Sequence, residues 1–371
     1  MRPFRPLCAS RRRVILMNEQ AAKLAGVLAA QGIDAFITYK PANTRYLTGF
    51  RGLFRSDGHA VVDKTGVHFF SSSMNGEQAK AQVEPGCPIT LLGYKAGLGS
   101  ALRGLPYSTV AIEESFLTVA ELDDLKHHLP HTRFVYGDAL MNGVRRIKTP
   151  GQIEKHRAAC AITDAIWEAL PDFMAVGVTE QDIADFILRK TRALGAEGPF
   201  FSPIVVSGTR ASQPHGQPTD KALESGDFVT VDMGVVVDGC ASDFTRTVVM
   251  GRASEKQRDI YETVRRAQQA AVDGIRPGMT SREADAIARQ VIEDAGYGEY
   301  FIHSLGHGLD DGLRMSQLPE HEAMLAESMI FTIEPGIYIE GYGGVRIEDT
   351  VLLTADGCVP LYSSGKALLE L

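Results

Sequence analysis

The sequence predicts a mixed α/β protein of two domains: a smaller α/β domain over residues 17–150, then an α+β domain over 151–371 with pseudo-twofold internal symmetry. Three observations carry this. The 371 residues suffice for about two domains at roughly 150 residues each. Residues 1–150 alternate short β-like runs with helical ones. Beyond them, a set of glycine, threonine and phenylalanine positions recurs at a fixed offset.

Composition sets the outer limits. An apolar fraction of 44% with 23% charged residues, and 37 Gly against 17 Pro, is that of a globular chain that folds throughout, unlike a collagen or a disordered linker. Lys+Arg 38 against Asp+Glu 46 leaves a formal charge of −8, which opposes a phosphate backbone or an anionic bilayer, so neither nucleic acid nor membrane is an expected partner. No apolar run approaches the ~18 residues of a transmembrane helix. Cys8, Cys87, Cys160, Cys240 and Cys358 have no CxxC and no regular spacing. They indicate neither a thiolate zinc site nor a disulfide framework, and a reducing, cytoplasmic compartment is expected. Arg11, Arg12 and Arg13 stand where a signal peptide needs its apolar stretch; the segment reads as a frayed start ahead of an initiator at Met17, with a transit peptide as the alternative.

Residues 18 to 31 place Ala22, Leu24, Ala25 and Leu28 on one helical stripe that stops at Gly32, a C-cap. AFITY at 35–39, HAVVD at 59–63, GVHFFS at 66–71, ITLLGY at 89–94 and TVAIE at 109–113 read as strands. GLGS at 97–100 lacks the glycine spacing of a dinucleotide loop and reads as a plain turn. RRIKTPGQIEKHRAACAITDAIWEAL, 145–170, has a charged start, a proline at the helix onset and then a long amphipathic helix, and marks the domain boundary. Gly177, Thr179, Gly195 and Phe200 then match Gly278, Thr280, Gly296 and Phe301, each 101 positions on. Both stretches are amphipathic helices between a GxT start and a glycine stop, with Thr179 and Thr280 as N-caps. This register indicates an internal duplication, and a site between two such halves draws matching ligands from each.

FVTVDMGVVVDGCASDFTRTVV, 228–249, reads as a strand, a turn at Asp238-Gly239 and a returning strand. With those two as turn residues, Val237 pairs with Cys240 and Asp232 with Thr245. Asp243 becomes the diagonal neighbour of Asp232 on the same face, about 7 to 8 Å away between backbones. MIFTIEPGIYIEGYGGVRIEDTVLLT, 329–354, repeats the plan: Glu334 lies 102 positions after Asp232, and Glu348 lies 105 after Asp243. Each acid sits inside Val, Ile and Phe runs, which a solvated face does not explain.

Four carboxylates around one cavity cannot all stay charged and unpaired. Two divalent cations neutralise them, and oxygen-rich ligation favours Mn, Co or Zn. Two such ions about 3.5 to 4 Å apart lower the pKa of a shared water and hold a substrate oxygen, which is hydrolase chemistry. The imidazole for a mixed O/N site comes from FIHSLGHGLDDG, 301–312: His307 is the ligand candidate, and His303 either packs or supports it from outside. His215, in SGTRASQPHGQP, either donates to a substrate carbonyl or oxyanion or is a plain loop residue.

These residues resemble the pita-bread metallopeptidases, the superfamily that contains Xaa-Pro dipeptidase (prolidase), aminopeptidase P, methionine aminopeptidase and the metal-free creatinase. The family's ligands Asp, Asp, His, Glu and Glu match Asp232 in VDMG, Asp243 in SDFTRT, His307 in SLGHG, Glu334 in TIEPGIY and Glu348 in VRIEDT. NTRYLTGFRG, 43–52, looks like the creatinase-like N-terminal domain of the prolidase and aminopeptidase P branch. The resemblance implies that Asp243 and Glu348 bridge two metal ions, Mn being the first expectation. Asp232 completes one coordination sphere, and His307 with Glu334 completes the other. It also implies that Glu334 shuttles a proton to the leaving amine, that His215 is the substrate-side histidine, and that the protein is a homodimer. The pattern breaks after His307: where the branch carries a second histidine seven residues on, this chain has Arg314, and His321-Glu322 lies seven residues further.

The function expected from this reading is metal-dependent hydrolysis of the Xaa-Pro bond in dipeptides or short peptides. Arg314 leans it toward dipeptides, because a guanidinium grips a free carboxylate bidentately. Two alternatives belong to other classes: hydrolysis of a small non-peptide C–N bond, raised by the missing histidine, and an inactive binding protein, opposed by five intact ligands.

Overall fold

A computed structural model describes residues 18–93 and 96–371; the expectations for the N-terminal arginines, Cys8 and Met17, and the Tyr94 end of one predicted strand, lie outside the described residues. The chain divides into two compact units, Met1–Val144 and Arg145–Leu371.

In the first unit the helix Glu19–Ala30 starts at Asn18, whose side chain accepts from the Ala21 N–H, and it buries Ala21, Leu24 and Leu28. Gly32, just past its end, takes φ 66°, the left-handed position the sequence assigns to it. One six-stranded sheet runs in the order Ile89–Leu92, Gly66–Ser72, His59–Asp63, Ala35–Thr38, Thr109–Ile112, Arg133–Tyr136. The expected strands are all present; the edge strand Arg133–Tyr136, half exposed, has too weak a pattern to be read in advance. GLGS does not form a plain turn. It opens the helix Leu98–Leu102, and a Cβ at Gly97 or Gly99 would come within 2.6 or 2.7 Å of Asp124, so these glycines serve close packing.

The second unit is built from two matched halves. Each has a helix of 20 residues followed by one of 14: Pro150–Ala169 and Glu180–Ala193, then Glu255–Gly274 and Ser281–Asp294. All four start with a capping box, from Thr149 with Gln152, Thr179 with Asp182, Ser254 with Gln257 and Thr280 with Glu283. The isolated bridges Thr179↔Ala222 and Thr280↔Met324 repeat in the same place. The duplication therefore extends to the first helix of each half.

Between the helices lies a sheet in the order Ile330–Ile333, Glu348–Thr354, Phe244–Val249, Phe228–Met233, Ile204–Ser207, with Gly357–Pro360 added beside Glu348–Thr354. On one face of this sheet, Val229, Val231 and Met233 pack with the first helix pair, and Phe331, Ile333 and Val351 join the core of the second pair. Phe228, Thr230 and Asp232 share the face opposite Val229 and Val231. No helix among the described residues is long and apolar enough to cross a membrane, and the four described cysteines are free thiols.

Candidate metal centre

The predicted hairpin forms in the predicted register. Asp238 and Gly239 take φ 45° and 77°, the positive values of a two-residue turn, Val237 pairs with Cys240, and Asp232 pairs with Thr245. On the other side of the same strand, Thr245 pairs with Glu348. Asp232, Thr245 and Glu348 thus form a row across three neighbouring strands and point to one face. Asp243, two residues before Thr245, points the same way. Oxygens of Asp232, Asp243 and Glu348 lie within 4.8 Å of one another, and all three residues are buried.

The second half differs from the first by a shift that preserves this convergence. Thr230 stands opposite Thr247, and Thr332 stands opposite Thr350. The acid on the return strand is four residues before its threonine in the first case (Asp243) and two before it in the second (Glu348). A displacement of two keeps the carboxylate on the same face, whereas a displacement of one would turn it away.

The imidazole arrives on a short ribbon in which His307 pairs with Arg314 and Gly306 with Met315. Glycine is required at 306 because a Cβ there would lie 2.1 Å from the Thr332 carbonyl oxygen. His307 Nε2 lies 3.3 Å from Glu334 Oε1 and 3.7 Å from Asp243 Oδ2. Glu334 follows the strand Ile330–Ile333, and its N–H donates to the Leu305 carbonyl at 2.8 Å, which ties ribbon and strand together. The structure therefore brings Asp232, Asp243, His307, Glu334 and Glu348 into one cluster.

A buried arginine, given no role by the sequence reading, braces the cluster. Arg346 lies two residues before Glu348 on the same face, and it donates to Asp232 Oδ2 at 2.7 Å, to Thr245 Oγ1 at 3.0 Å and to the Tyr338 hydroxyl at 2.9 Å. His303 Nδ1 donates to the Ser304 carbonyl, so its Nε2 accepts from Tyr338, 2.9 Å away. His303 is thus a support behind the centre. On the opposite face, Arg246 pairs with Asp349 at 2.8 Å, a separate buried ion pair that alternation keeps away from the cluster.

Burial raises the carboxyl of Asp232 above the ordinary range, with Arg346 opposing and Glu334 adding to it. Asp243 is pushed well up by burial and then by the charges of Asp232 and Glu334. Glu348 is pushed well up by burial and then by Asp243 and Glu334. A site built only of protein would answer this crowding by taking up protons; divalent cations answer it by displacing them. Asp232 Oδ1 is buried without a hydrogen-bond partner, and an orphaned oxygen on a carboxylate clustered with two others is a donor suited to a cation. The residues fit divalent metal ions.

His215 and Arg314 are both exposed. His215 lies just after the 3-10 turn Gly208–Ser212. Arg314 shares the face of His307 on the ribbon. His321 lies in the one-turn helix Pro319–His321, where its carbonyl accepts from Ser281. The sequence reading missed Arg346, Tyr338, Thr245 and Thr332. The available signal was a cation inside the apolar run GGVRIED, where an unpaired charge is not tolerated.

A carboxylate cluster completed by one imidazole on a duplicated α+β scaffold defines a metal-binding hydrolase domain. The chain belongs to metallopeptidase family M24, whose model matches residues 154–355, and the Creatinase/Prolidase N-terminal domain matches residues 20–147. It is 37% identical to an Xaa-Pro dipeptidase of Pyrococcus furiosus over 95% of this chain and 100% of that one. The crystal structure of the prolidase from Pyrococcus horikoshii OT3 superimposes with a TM-score of 0.87 at 36% identity, covering 95% of this chain and 100% of that chain. An X-Pro aminopeptidase from Thermotoga maritima matches with a TM-score of 0.85 at 30% identity over 95% and 99% of the two chains.

Proposed function

We propose that this protein hydrolyses the Xaa-Pro bond of dipeptides with a free C-terminus, using two divalent metal ions. The observation that carries the reading is the convergence of Asp232, Asp243 and Glu348 with His307 and Glu334 on one side of the duplicated sheet. It is supported by likeness to enzymes named Xaa-Pro dipeptidase at 35–37% identity over nearly the whole chain.

In this reading Asp243 and Glu348 would be shared between the ions, Asp232 would complete the ligand set of one, and His307 with Glu334 that of the other; the chemistry supplied there would be polarisation of a carbonyl and a lowered pKa of a water. The rest of the work falls to the chain. Arg346 fixes Asp232 by occupying Oδ2 and leaving Oδ1 to the cation side. Glu334 takes a proton from the attacking water and returns it to the leaving proline nitrogen. Arg314, across the ribbon from His307, grips the substrate's terminal carboxylate, and His215 approaches the carbonyl from the substrate side. The reading includes Mn2+ as the working metal, a cytoplasmic homodimer, and a functional division into an N-terminal domain over 17–150 and a catalytic domain over 151–371.

The test is a matrix of Mn2+, Co2+ and Zn2+ against an Xaa-Pro dipeptide, a longer Xaa-Pro peptide and a cyclic amide. Preference for the dipeptide with metal present supports the reading. Turnover of the cyclic amide alone would move the protein to non-peptide C–N hydrolysis, the reading that Arg314 in place of the branch's histidine favours.

A further inference from the structure

Every one of the four acids of the centre has a threonine two residues away on its strand or strand extension: Thr230 before Asp232, Thr245 after Asp243, Thr332 before Glu334 and Thr350 after Glu348. Spacing by two puts threonine and acid on the same face. All four threonines are buried, so each hydroxyl must be satisfied inside the protein. They are satisfied in two ways. Thr230 bonds to the Thr247 hydroxyl, and Thr350 bonds to the backbone of Asp243. Thr245 and Thr332 reach carboxylates.

The wiring of those two is the same and has a fixed direction. Thr245 Oγ1 receives the Nε–H of Arg346 at 3.0 Å and lies 2.7 Å from Glu348 Oε2. Arginine only donates, so the hydroxyl accepts there and its single proton goes to Glu348. Thr332 Oγ1 receives the backbone N–H of His307 at 2.9 Å and lies 2.9 Å from Glu334 Oε1, with the His307 carbonyl more distant at 3.4 Å. Its proton goes to Glu334. Each glutamate therefore has one oxygen held in place as an acceptor.

We propose that Thr245 and Thr332 are paired positioning residues of the metal centre, each fixing one oxygen of a ligand glutamate, Glu348 and Glu334 respectively, through a hydroxyl whose direction is set by an N–H donor. Thr245 also links Arg346 to Glu348, so the cation that braces Asp232 braces the opposite acid too. Thr332 links the His307 backbone to Glu334, so the imidazole and carboxylate of one coordination sphere are held in mutual register. The proposal rests on the ligand assignment above.

Valine has the shape of threonine without the hydroxyl. Mn2+ binding is measured by titration calorimetry on metal-free parent protein and on Thr245→Val, Thr332→Val, Thr245→Ser, Thr332→Ser and Thr230→Val, with thermal melts of each. The valine variants at 245 and 332 are expected to bind Mn2+ about 10- to 100-fold more weakly. The serine variants, which keep the hydroxyl, are expected to stay close to the parent, and Thr230→Val, which removes a hydroxyl bonded only to neutral groups, is expected to do the same. Where a valine variant does not fold, the cysteine variant, with a weak S–H donor of similar size, is expected to show the same loss. A parent that binds no Mn2+ would sink the ligand assignment and this proposal together. A parent that binds two ions, with valine or cysteine variants that bind them equally well, would overturn the threonine proposal alone.

Discussion

The proposed role of Arg314 in gripping the substrate's carboxylate is tested by replacing it with alanine, which leaves the residues of the carboxylate cluster in place. Arg314 stands opposite His307 in the ribbon, so the two side chains leave it on the same face, and Arg314 is exposed. A charge-assisted hydrogen bond to a carboxylate is worth about 1.5 to 3 kcal/mol. Because Arg314 is exposed, water screens the contact and the lower end applies. About 1.5 kcal/mol corresponds to a roughly tenfold loss of kcat/KM on an Xaa-Pro dipeptide. The C-terminal amide of the same dipeptide lacks the anionic partner, so it should be a poor substrate of the parent and nearly indifferent to the substitution. Arg314→Lys keeps the charge without the planar fork and should fall between. The assay is kcat/KM for acid and amide substrates on all three proteins, with Mn2+ affinity measured alongside to confirm that His307 has not moved. Equal proportional losses on acid and amide would refute carboxylate recognition and leave Arg314 an oxyanion or structural role.

Three further outcomes are expected. Glu334→Gln keeps the size but removes the titratable oxygen, so kcat should fall by more than the roughly 100-fold of a single acid–base contribution, as measured at saturating Mn2+; an ordinary kcat in the metal-loaded variant would remove Glu334 from proton transfer. Burial lowers His156 from 6.5 to about 4; it is neutral in the fold and donates Nδ1–H to the Ala241 carbonyl. Its contribution to stability is therefore complete above about pH 6.5 and is lost as pH falls toward 4, by about 1.4 kcal/mol per pH unit. The melting temperature of the parent should thus drop more steeply than that of His156→Asn between pH 7 and 5, and parallel curves would contradict the assignment. Lys148 forms a buried pair at 2.6 Å with Asp311, which lies in the loop between His307 and Arg314. Lys148→Met leaves Asp311 buried and uncompensated, which should cost about 3 to 5 kcal/mol in denaturant unfolding, whereas Asp311→Asn with Lys148→Met should recover part of it.

The parts of the site that were legible in the sequence are those set by strand periodicity. An Asp-Gly turn fixes register, register fixes facing, and the position of Asp243 relative to Asp232 follows without any tertiary information. The same holds for the repeat, because Thr179 and Thr280 are caps whose chemistry is local. What stayed hidden depends on partners distant in sequence. Arg346 reads as one more charge until the three-strand row places Asp232 2.7 Å from it. His303 remained ambiguous until Tyr338 supplied the donor for its Nε2. The equivalence of the helices Pro150–Ala169 and Glu255–Gly274 was invisible because their apolar faces pack against different strands, and only length and capping are shared. The GLGS segment misled in the other direction: its glycines answer to Asp124, a packing neighbour that no local pattern reveals.

The measurement that bears most directly on the central claim is simultaneous determination of bound metal and Xaa-Pro dipeptide hydrolysis while metal-free protein is titrated with Mn2+, for the parent and for Asp243→Asn. Asp243 lies with Asp232 and Glu348 in the cluster of oxygens within 4.8 Å, and on the proposed reading it would be shared by both ions. The parent should reach two ions per chain with activity rising as they bind, and Asp243→Asn should lose metal and activity together while its circular dichroism stays that of the folded protein. Two ions retained by Asp243→Asn with normal turnover would contradict the account.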